Sequence, residues 1–393
     1  MEKIYEEILR LPNLEVKSIS STAKKIEICC EVNEEGICPS CCCKINRVNQ
    51  TYTRKVRDLD ISGREVWLHL QVKQYECDDC GRLHSQLFDF VEKGKGYSKR
   101  QAKWLFSLCK KQCFTEVGAI VNMNSKTVEN IFYAEAQKQI DQVDWHKIRR
   151  IGIDEFAFKK GHKDYIIILV DLDTHDIIAL LPFRDKVSLI AFFKELGTDF
   201  CKQVEVYSSD MWAGFLEVAH ELFPTATMVI DRFHWTKHLN KAVDETRKEV
   251  RRKERDNELF KNLKWGLIKR NEKLSSQEKT KVEKALEACP DLAKVYHLKN
   301  QLISIFDKDL TFDIAKLEVE FWIKKAETID NTHLNKFIKL LRKHLVNIVN
   351  YFHQRVSNGV VEGTNNLLRT IKRFTFNMTN FDNFKCRVFA WKT

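Results

Sequence analysis

Between Arg149 and Asp231 the chain is written in short apolar runs whose order leaves few ways to fold. The segment from Arg149 to Phe158 opens the series. Tyr165 to Val170 is a continuous apolar run, stopped by the turn-prone stretch Asp171 to Asp176. Ile177 to Leu181 reads as a third strand, and the short links predict an antiparallel meander. Lys186 to Leu196 then has helical spacing. Val204 to Tyr207 is a fourth strand running into Ser208, Ser209 and Asp210, a helix follows from Trp212 to Phe223, and Ala226 to Ile230 is a fifth strand ending at Asp231.

Three strands in a meander, then helix, strand, helix, strand, is the order of a ribonuclease H-like fold. In that fold a carboxylate on the first strand and one ending the fourth lie side by side, and Asp154 and Asp210 occupy those places. Such a pair can hold two Mg²⁺ (or Mn²⁺) ions about 3.5–4 Å apart, one serving the attacking oxygen and one the leaving oxygen. Hard cations of this kind prefer oxygen ligands and keep several waters, so two or three carboxylates suffice. Asp231 also ends a strand, and Asp171 and Asp173 lie in a turn, so these are rivals for the second position. Asp210 is preferred because it follows the fourth strand.

A third carboxylate is expected from a later helix, and Glu362 supplies it. Continued helically, Glu362, Asn366, Arg369 and Arg373 fall at i, i+4, i+7 and i+11 on one face. An acid followed by an amide and arginines suits a metal ligand beside a phosphate track. Most of the 55 Asp and Glu residues belong on a solvated surface. Placement at strand ends, rather than acidity, singles these three out.

Two short cysteine pairs precede this region: Cys38 with Cys41, and Cys77 with Cys80. Each C-x2-C can turn tightly and aim two thiolates at one ion, and two such turns complete a structural tetrahedral Zn²⁺ site. The segment between them must carry strands of its own, and Val66 to Val72 alternates apolar and polar residues accordingly. Cys42 and Cys43 follow directly and Cys29 and Cys30 lie upstream, so any of them could replace a ligand. Buried structural thiols are the plainer alternative.

From Ser98 the pattern turns helical, with Ala102, Leu105, Phe106, Leu108 and Cys109 on an apolar stripe. Phe114 to Asn122, a tight turn at Met123 and Asn124, and Ser125 to Tyr133 then resemble a helix-turn-helix. Gly118 and Ala119 are the expected packing face and Ser125 the expected N-cap. In such a module Lys126, Thr127 and Asn130 would meet base edges. An ordinary helical hairpin fits the same pattern.

Residues 236 to 349 contain only Gly266 and Pro290 as helix breakers, which predicts a helical block. Arg247 to Arg255 puts six basic residues in nine: either a solvated face with internal ion pairs or a wall that binds phosphates. Trp265, Phe321 and Trp322 are expected in the core of this block. The net charge of +11 suits a polyanionic partner but does not by itself identify one. The chain start lacks the features of a secretory signal, and no apolar run is long enough to span a bilayer. With 13 cysteines read as reduced thiols or metal ligands, a cytoplasmic protein without membrane partners is expected.

Taken together, these residues resemble the bacterial insertion-sequence transposases of the ISL-three family, of the DDE (Asp-Asp-Glu) class. The matching blocks run nearly end to end. They are Cys-Pro-Ser-Cys at 38–41, Cys-Asp-Asp-Cys-Gly at 77–81, Ile-Gly-Ile-Asp-Glu-Phe-Ala-Phe at 151–158 and Val-Asp-Leu-Asp-Thr at 170–174. Asp-Arg-Phe-His at 231–234 and Ser-Asn-Gly-Val-Val-Glu-Gly-Thr-Asn-Asn at 357–366 are the most specific. The resemblance implies an α+β chain of several domains: a zinc ribbon (1–92), a helix-turn-helix (96–142), and a ribonuclease H-like core (148–235 and 350–393) interrupted by a helical insertion (236–349). Its catalytic acids fall on Asp154, Asp210 and Glu362. Asp231 and His234 look like the C/D-x-x-H element of transposases with insertions, although a structural hydrogen bond explains that pair equally well.

The expected activity is binding of terminal inverted repeats, metal-dependent cleavage at each end, and attack of the freed 3′-hydroxyl on target DNA. Handling two ends suggests a homodimer or larger assembly. Two other readings are a DNA-binding regulator with an inactive core, and a nuclease that only hydrolyses.

Overall fold

The computed structural model describes residues 2–33, 36–45, 47–159, 164–254, 257–355, 359–376 and 378–391, with only the backbone described for Glu2, Gln354 and residues 359–362. The chain forms two compact units: residues 1–142 with 374–393, and residues 143–373. Among the described residues no helix is long and apolar enough to cross a membrane.

The first unit opens with helix α1 (Glu2–Leu9) and a sheet of strands β1 (Leu14–Ser21), β2 (Lys25–Val32), β5 (Val48–Ile61), β6 (Arg64–Glu76) and β7 (Leu83–Ser85). A separate two-stranded ribbon joins β3 (Gly36–Ile37) to β4 (Lys44–Ile45). The larger sheet runs β1-β2-β6-β5, with β7 paired to the end of β6. The expected alternation is real. Val66, Leu68, Leu70 and Val72 of β6 face the core with Ile26, Ile28 and Val56. Strands β5 and β6 meet in a two-residue hairpin at Ser62 and Gly63, both at positive φ (53° and 72°). Turns of that handedness match the twist of the flanking strands.

Three helices follow: α2 (Lys99–Cys109), α3 (Phe114–Ile120) and α4 (Ser125–Asp141). Gly118 is required where α3 meets the turn, since a Cβ there would lie 2.6 Å from the Met123 carbonyl oxygen. Two local expectations are corrected. The N-cap of α4 is Asn124, whose side chain accepts from the Lys126 N–H at 2.8 Å, and Ser125 is the first helical residue. Asn ranks with Ser as a cap, so the shift costs nothing. Ala119 is exposed, because Phe114, Val117 and Gly118 are the residues of this short helix that face inward. A buried polar network ties sheet to helices. Arg57 pairs with Asp60 and Glu65 at 2.6 and 2.7 Å and donates to the Val121 carbonyl, while Asp58 accepts from Ser98 and Arg100.

Helix α17 (Phe381–Trp391) also belongs to this compact unit. The reason is packing. Cys386 and Ala390 join the cluster around Phe106, Phe132 and Val128, and the Arg387 guanidinium lies 4.2 Å from the Phe114 ring centre and 4.4 Å from that of Phe132.

In the second unit β8 (Arg150–Lys159), β9 (Asp164–Asp171) and β10 (Ile177–Leu181) form the meander. They are followed by α5 (Lys186–Leu196), α6 (Thr198–Gln203), β11 (Val206–Ser209), α7 (Ala213–Leu222) and β12 (Thr227–Ile230). Sheet order is β10-β9-β8-β11-β12, with β11 parallel to both neighbours and β9 antiparallel to both of its own. One face buries Ile151, Ile153, Leu169 and Tyr207 against Leu189, Phe193, Phe215 and Val218 of α5 and α7. Each such side chain contributes about 1.5–3 kcal/mol by leaving water. The opposite face carries Asp154.

The rest of this unit is helical: α8 (Arg232–Lys253), α9 (Lys264–Ile268), α10 (Ser276–Ala288), α11 (Pro290–Asp307), α12 (Phe312–Glu327), α13 (Thr332–Lys343), α14 (Leu345–Val349), α15 (Tyr351–Gln354) and α16 (Gly359–Phe374). Helices α8 to α15 share one core with Ile230 of β12, built on Trp235, Phe260, Phe306 and Trp322. Pro290 sits in the first turn of α11, where its missing N–H costs nothing. The aromatic expectation is corrected in part. Trp322 is buried and donates to the Leu298 carbonyl at 2.9 Å, but Trp265 and Phe321 are 63% and 71% exposed. Phe321 precedes Trp322 directly, and adjacent helical positions point about 100° apart.

Candidate metal centres and the acidic face

The four cysteines of the two pairs converge. Their sulfurs all lie within 4.8 Å of one another, with Cys38–Cys80 at 3.6 Å and Cys41–Cys77 at 3.5 Å. Tetrahedral Zn–S bonds of about 2.3 Å require sulfurs about 3.8 Å apart, so the donor set fits structural zinc. Each pair is shaped by its own backbone: Cys42 N–H reaches the Cys38 carbonyl, and Gly81 N–H the Cys77 carbonyl, both at 2.8 Å. Crowding works against four unneutralised thiolates. Burial pushes the Cys38 thiol up, but the N–H groups of Ser40 and Cys41 and the neighbouring thiols outweigh it and bring it to about 6. Backbone N–H groups of Cys43 and Arg82 favour the thiolates of Cys41 and Cys80, yet the surrounding sulfurs push both up to about 12. A cation relieves that repulsion.

The competing cysteines are sorted by position. Cys29 and Cys30 lie on β2, the latter in the hydrophobic core. Cys42 is exposed at the turn, and Cys43 belongs to a second group with Cys41 and Asp79. His84, on β7, was missed by the sequence reading; its Nε2 lies 3.3 Å from the Cys38 sulfur, where an N–H would stabilise a thiolate. The alternation of Leu83 and His84 beside Cys80 was the available signal.

In the second unit the acids are brought together by sheet register. Ser208 pairs with Gly152 and Ser209 with Ile230, so the same registers set Asp210 beside Asp154 on one side and Asp231 on the other. Side chains two apart on a strand share a face. Asp154 therefore points with Gly152, away from Ile151 and Ile153, and Asp210 with Ser208. Asp154 and Asp231 are buried, at 7% and 6% exposure, and Asp210 is half-buried. Burial, followed by the nearby Asp210 carboxylate, raises the Asp154 carboxyl above its ordinary range; the Glu155 N–H, His234 and Asn365 pull it back.

His234 Nε2 stands 3.9 Å from Asp154 Oδ1 and 3.8 Å from Asp231 Oδ2. Asp231 also caps α8, its Oδ1 accepting from Phe233 N–H at 3.3 Å. The other two rivals are accounted for by their turn. Asp171 accepts from Asp173 N–H and Thr174 Oγ1, and Asp173 pairs with Arg150 at 2.9 Å.

Glu362 lies on α16, but its side chain is outside the described residues. Of the stripe expected with it, Asn366, Arg369 and Arg373 are exposed, and Arg369 donates to Asn366 at 2.7 Å. The amide that reaches the acids is its neighbour Asn365, whose Nδ2 donates to Asp154 Oδ2 at 2.7 Å. Seven residues along the helix, Lys372 stands 3.6 Å over the Phe158 ring. About 10 Å of helix thus runs beside about 13 Å of β8. The apolar positions Leu368 and Ile371, both fully buried, mark the inward face and put Asn365 and Lys372 on its flank. That stripe was the signal for Asn365.

Lys126, Thr127 and Asn130 are exposed together at the start of α4, with Lys126 paired to Glu129 at 2.8 Å. The basic run on α8 divides. Arg247 is buried against Asp244 and Lys248 pairs with Glu245, whereas Arg251, Arg252 and Lys253 are exposed in the last turn, where positive charge suits the helix dipole. Arg255 lies outside the described residues.

A four-sulfur knuckle ahead of a mixed sheet that sets acids on adjacent strands defines a zinc-ribbon protein with an acidic α+β domain, and sequence comparison narrows it. Residues 151–388 match the family model DDE_Tnp_ISL3, described as transposase, and residues 34–80 match the zinc-finger model of the IS204/IS1001/IS1096/IS1165 transposases. The chain belongs to the ISL3 (ISL-three) family of DDE transposases. It is 26% identical over 365 residues to the transposase for insertion sequence element IS1001 of Bordetella parapertussis, covering 90% of this chain and 88% of the relative. It is 24% identical over 364 residues to the transposase for IS1557 of Mycobacterium tuberculosis (strain CDC 1551 / Oshkosh), covering 82% and 78%.

Proposed function

We propose that the chain binds the terminal inverted repeats of its element and cuts and rejoins DNA there with Asp154, Asp210 and Glu362. The observation that carries this reading is the parallel register of β8 and β11, which sets Asp154 and Asp210 on adjacent strands and one face. The sheet order is that of a ribonuclease H-like core. Position 362 lies one helical turn before Asn365, which touches Asp154, so the helix brings it near the same acids.

The donor set suits Mg²⁺ or Mn²⁺, both of which prefer oxygen ligands, and two buried carboxylates with one nearby imidazole leave a negative charge for a cation to balance. When bound, the divalent ions activate the attacking oxygen and stabilise the leaving oxygen. The protein's own residues hold the geometry. The Glu155 N–H and Asn365 amide orient Asp154, the Trp212 N–H orients Asp210 at 2.8 Å, and His234 bridges Asp154 and Asp231. Asn366, Arg369 and Arg373 track phosphates along the exposed side of α16. Lys126, Thr127 and Asn130 read bases from the second helix of a helix-turn-helix, held beside a zinc ribbon. Two DNA ends call for a dimer or larger assembly.

The test is a cleavage and strand-transfer assay on the element's end DNA with Mg²⁺, comparing wild type with Asp210→Ala and Glu362→Ala. Joining lost in both variants is the expected result. Joining that survives Asp210→Ala shifts the second acid to Asp231. Cutting without joining points to a nuclease, and tight binding with neither points to a regulator.

A further inference from the structure

Both oxygens of Asp154 are held by N–H groups, Oδ1 by the Glu155 backbone at 2.8 Å and Oδ2 by Asn365 Nδ2 at 2.7 Å. Because the amide donates through its nitrogen, its carbonyl oxygen is turned away from Asp154. That Oδ1 is buried and has no hydrogen-bond partner among the described residues. An unmet buried carbonyl is costly. This one also belongs to the same carboxamide that touches Asp154, so the negative end of its dipole lies close to a buried carboxylate. A cation resolves both problems at once.

We infer that Asn365 is a residue of the divalent-cation site: its Nδ2 fixes Asp154, and its Oδ1 is a neutral oxygen ligand to the ion that Asp154 and Asp210 hold. The inference rests on the reading above that these acids bind a divalent ion. A neutral ligand is chemically apt at this place. Carboxamide oxygens are ordinary ligands for hard cations, and they add a donor without adding to the repulsion that already raises the Asp154 carboxyl. The fold keeps the amide there, since Thr364, Leu368 and Ile371 are buried on either side of it along α16.

The experiment measures Mn²⁺ binding to the zinc-loaded chain without DNA, following free Mn²⁺ by electron paramagnetic resonance. This reads the site without turnover. A Mn²⁺ site lost in Asp154→Ala and Asp210→Ala fixes its location. Asn365→Ala is expected to weaken that site by about 10-fold or more, with an unfolding midpoint close to that of wild type. Pulsed electron paramagnetic resonance at saturating Mn²⁺ separates ligand from orienter, in protein grown with asparagine carrying ¹³C at the carboxamide carbon. A ligand role predicts a ¹³C coupling to the bound ion that is absent in Asn365→Ala, because an amide oxygen on the ion puts its carbon about 3 Å away. A role confined to orienting Asp154 predicts no such coupling. Unchanged Mn²⁺ binding in Asn365→Ala, or no ¹³C coupling in the wild type, overturns the ligand assignment and leaves the acids' reading standing. A chain with no Mn²⁺ site sensitive to Asp154 and Asp210 overturns both. Should Asn365→Ala fail to fold, Asn365→Ser carries the same comparison.

Discussion

The cysteine knuckles and the acidic face both gather negative charge around a point, but by different routes. Each knuckle is made within a few residues by backbone hydrogen bonds of its own turn, as Cys42 N–H to Cys38 and Gly81 N–H to Cys77 show. The acids come from separate strands and meet only through the registers of β8, β11 and β12. A site of the first kind depends on its ion and its turns. A site of the second kind depends on the whole sheet, which is held by the apolar cores on either side of it and needs no ion to form. The two should therefore fail differently.

The largest expected effect is on the acidic face. Asp154→Asn keeps size and hydrogen bonding while removing the charge. Strand transfer should fall by about 10³-fold or more, with zinc content unchanged and the unfolding midpoint equal to or above that of wild type. Stability is expected to hold because a buried, mutually repelling carboxylate is removed. A large loss of folded protein in this variant would break the contrast, since it would make the acids structural.

Next in size is removal of a sulfur. Cys77→Ser, or chelation of the wild type, should release the zinc and destabilise the end of the first unit by several kcal/mol. Circular dichroism and protection of β6 and β7 amides from exchange would report it. The second unit should keep its own unfolding transition, having a separate core. Loss of both transitions together would show that the units do not fold independently.

These differences also explain what could be read from the sequence. The knuckles were legible because C-x2-C spacing is local, and the meander because Ile, Val and Leu runs end in turn residues. The register that aligns Asp154 with Asp210 followed from strand order. Contacts set by tertiary rotation were not legible: that Asn365 rather than Asn366 meets Asp154, that Trp265 and Phe321 face outward, and that α17 joins the first unit through Arg387. Each turns on one helical step or on a long-range partner, and an isolated amphipathic stripe leaves that choice open within about 100°.

A lone buried charge gives an intermediate case. Lys299 is fully buried in the helical block, donates to the Leu267 carbonyl at 2.6 Å, and burial lowers its ammonium to about 8. Here the folded state releases a proton that the unfolded chain still holds up to the ordinary lysine range. Between those two values the unfolded state binds more protons, so stability rises with pH by up to ~3 kcal/mol in total. Below about pH 8 the burial penalty is fully present. Lys299→Met should abolish this part of the slope, measured by urea unfolding of both proteins across that window. An unchanged slope would place the titration elsewhere.

The smallest effect tests the knuckles themselves. Cys42 and Gly81 hold equivalent places, each directly after the second cysteine of its pair and each in the left-handed region, at φ 61° and 64°. A side chain there costs about 1–2 kcal/mol, which glycine avoids. Glycine also gives the unfolded chain more freedom, which takes back about 0.4–1 kcal/mol. Cys42→Gly should therefore gain only about 0.5–1 kcal/mol in unfolding of the first unit and retain one zinc per chain. If Cys42 were instead a ligand, the same change would release zinc as readily as Cys77→Ser, and the four-sulfur assignment would have to be redrawn.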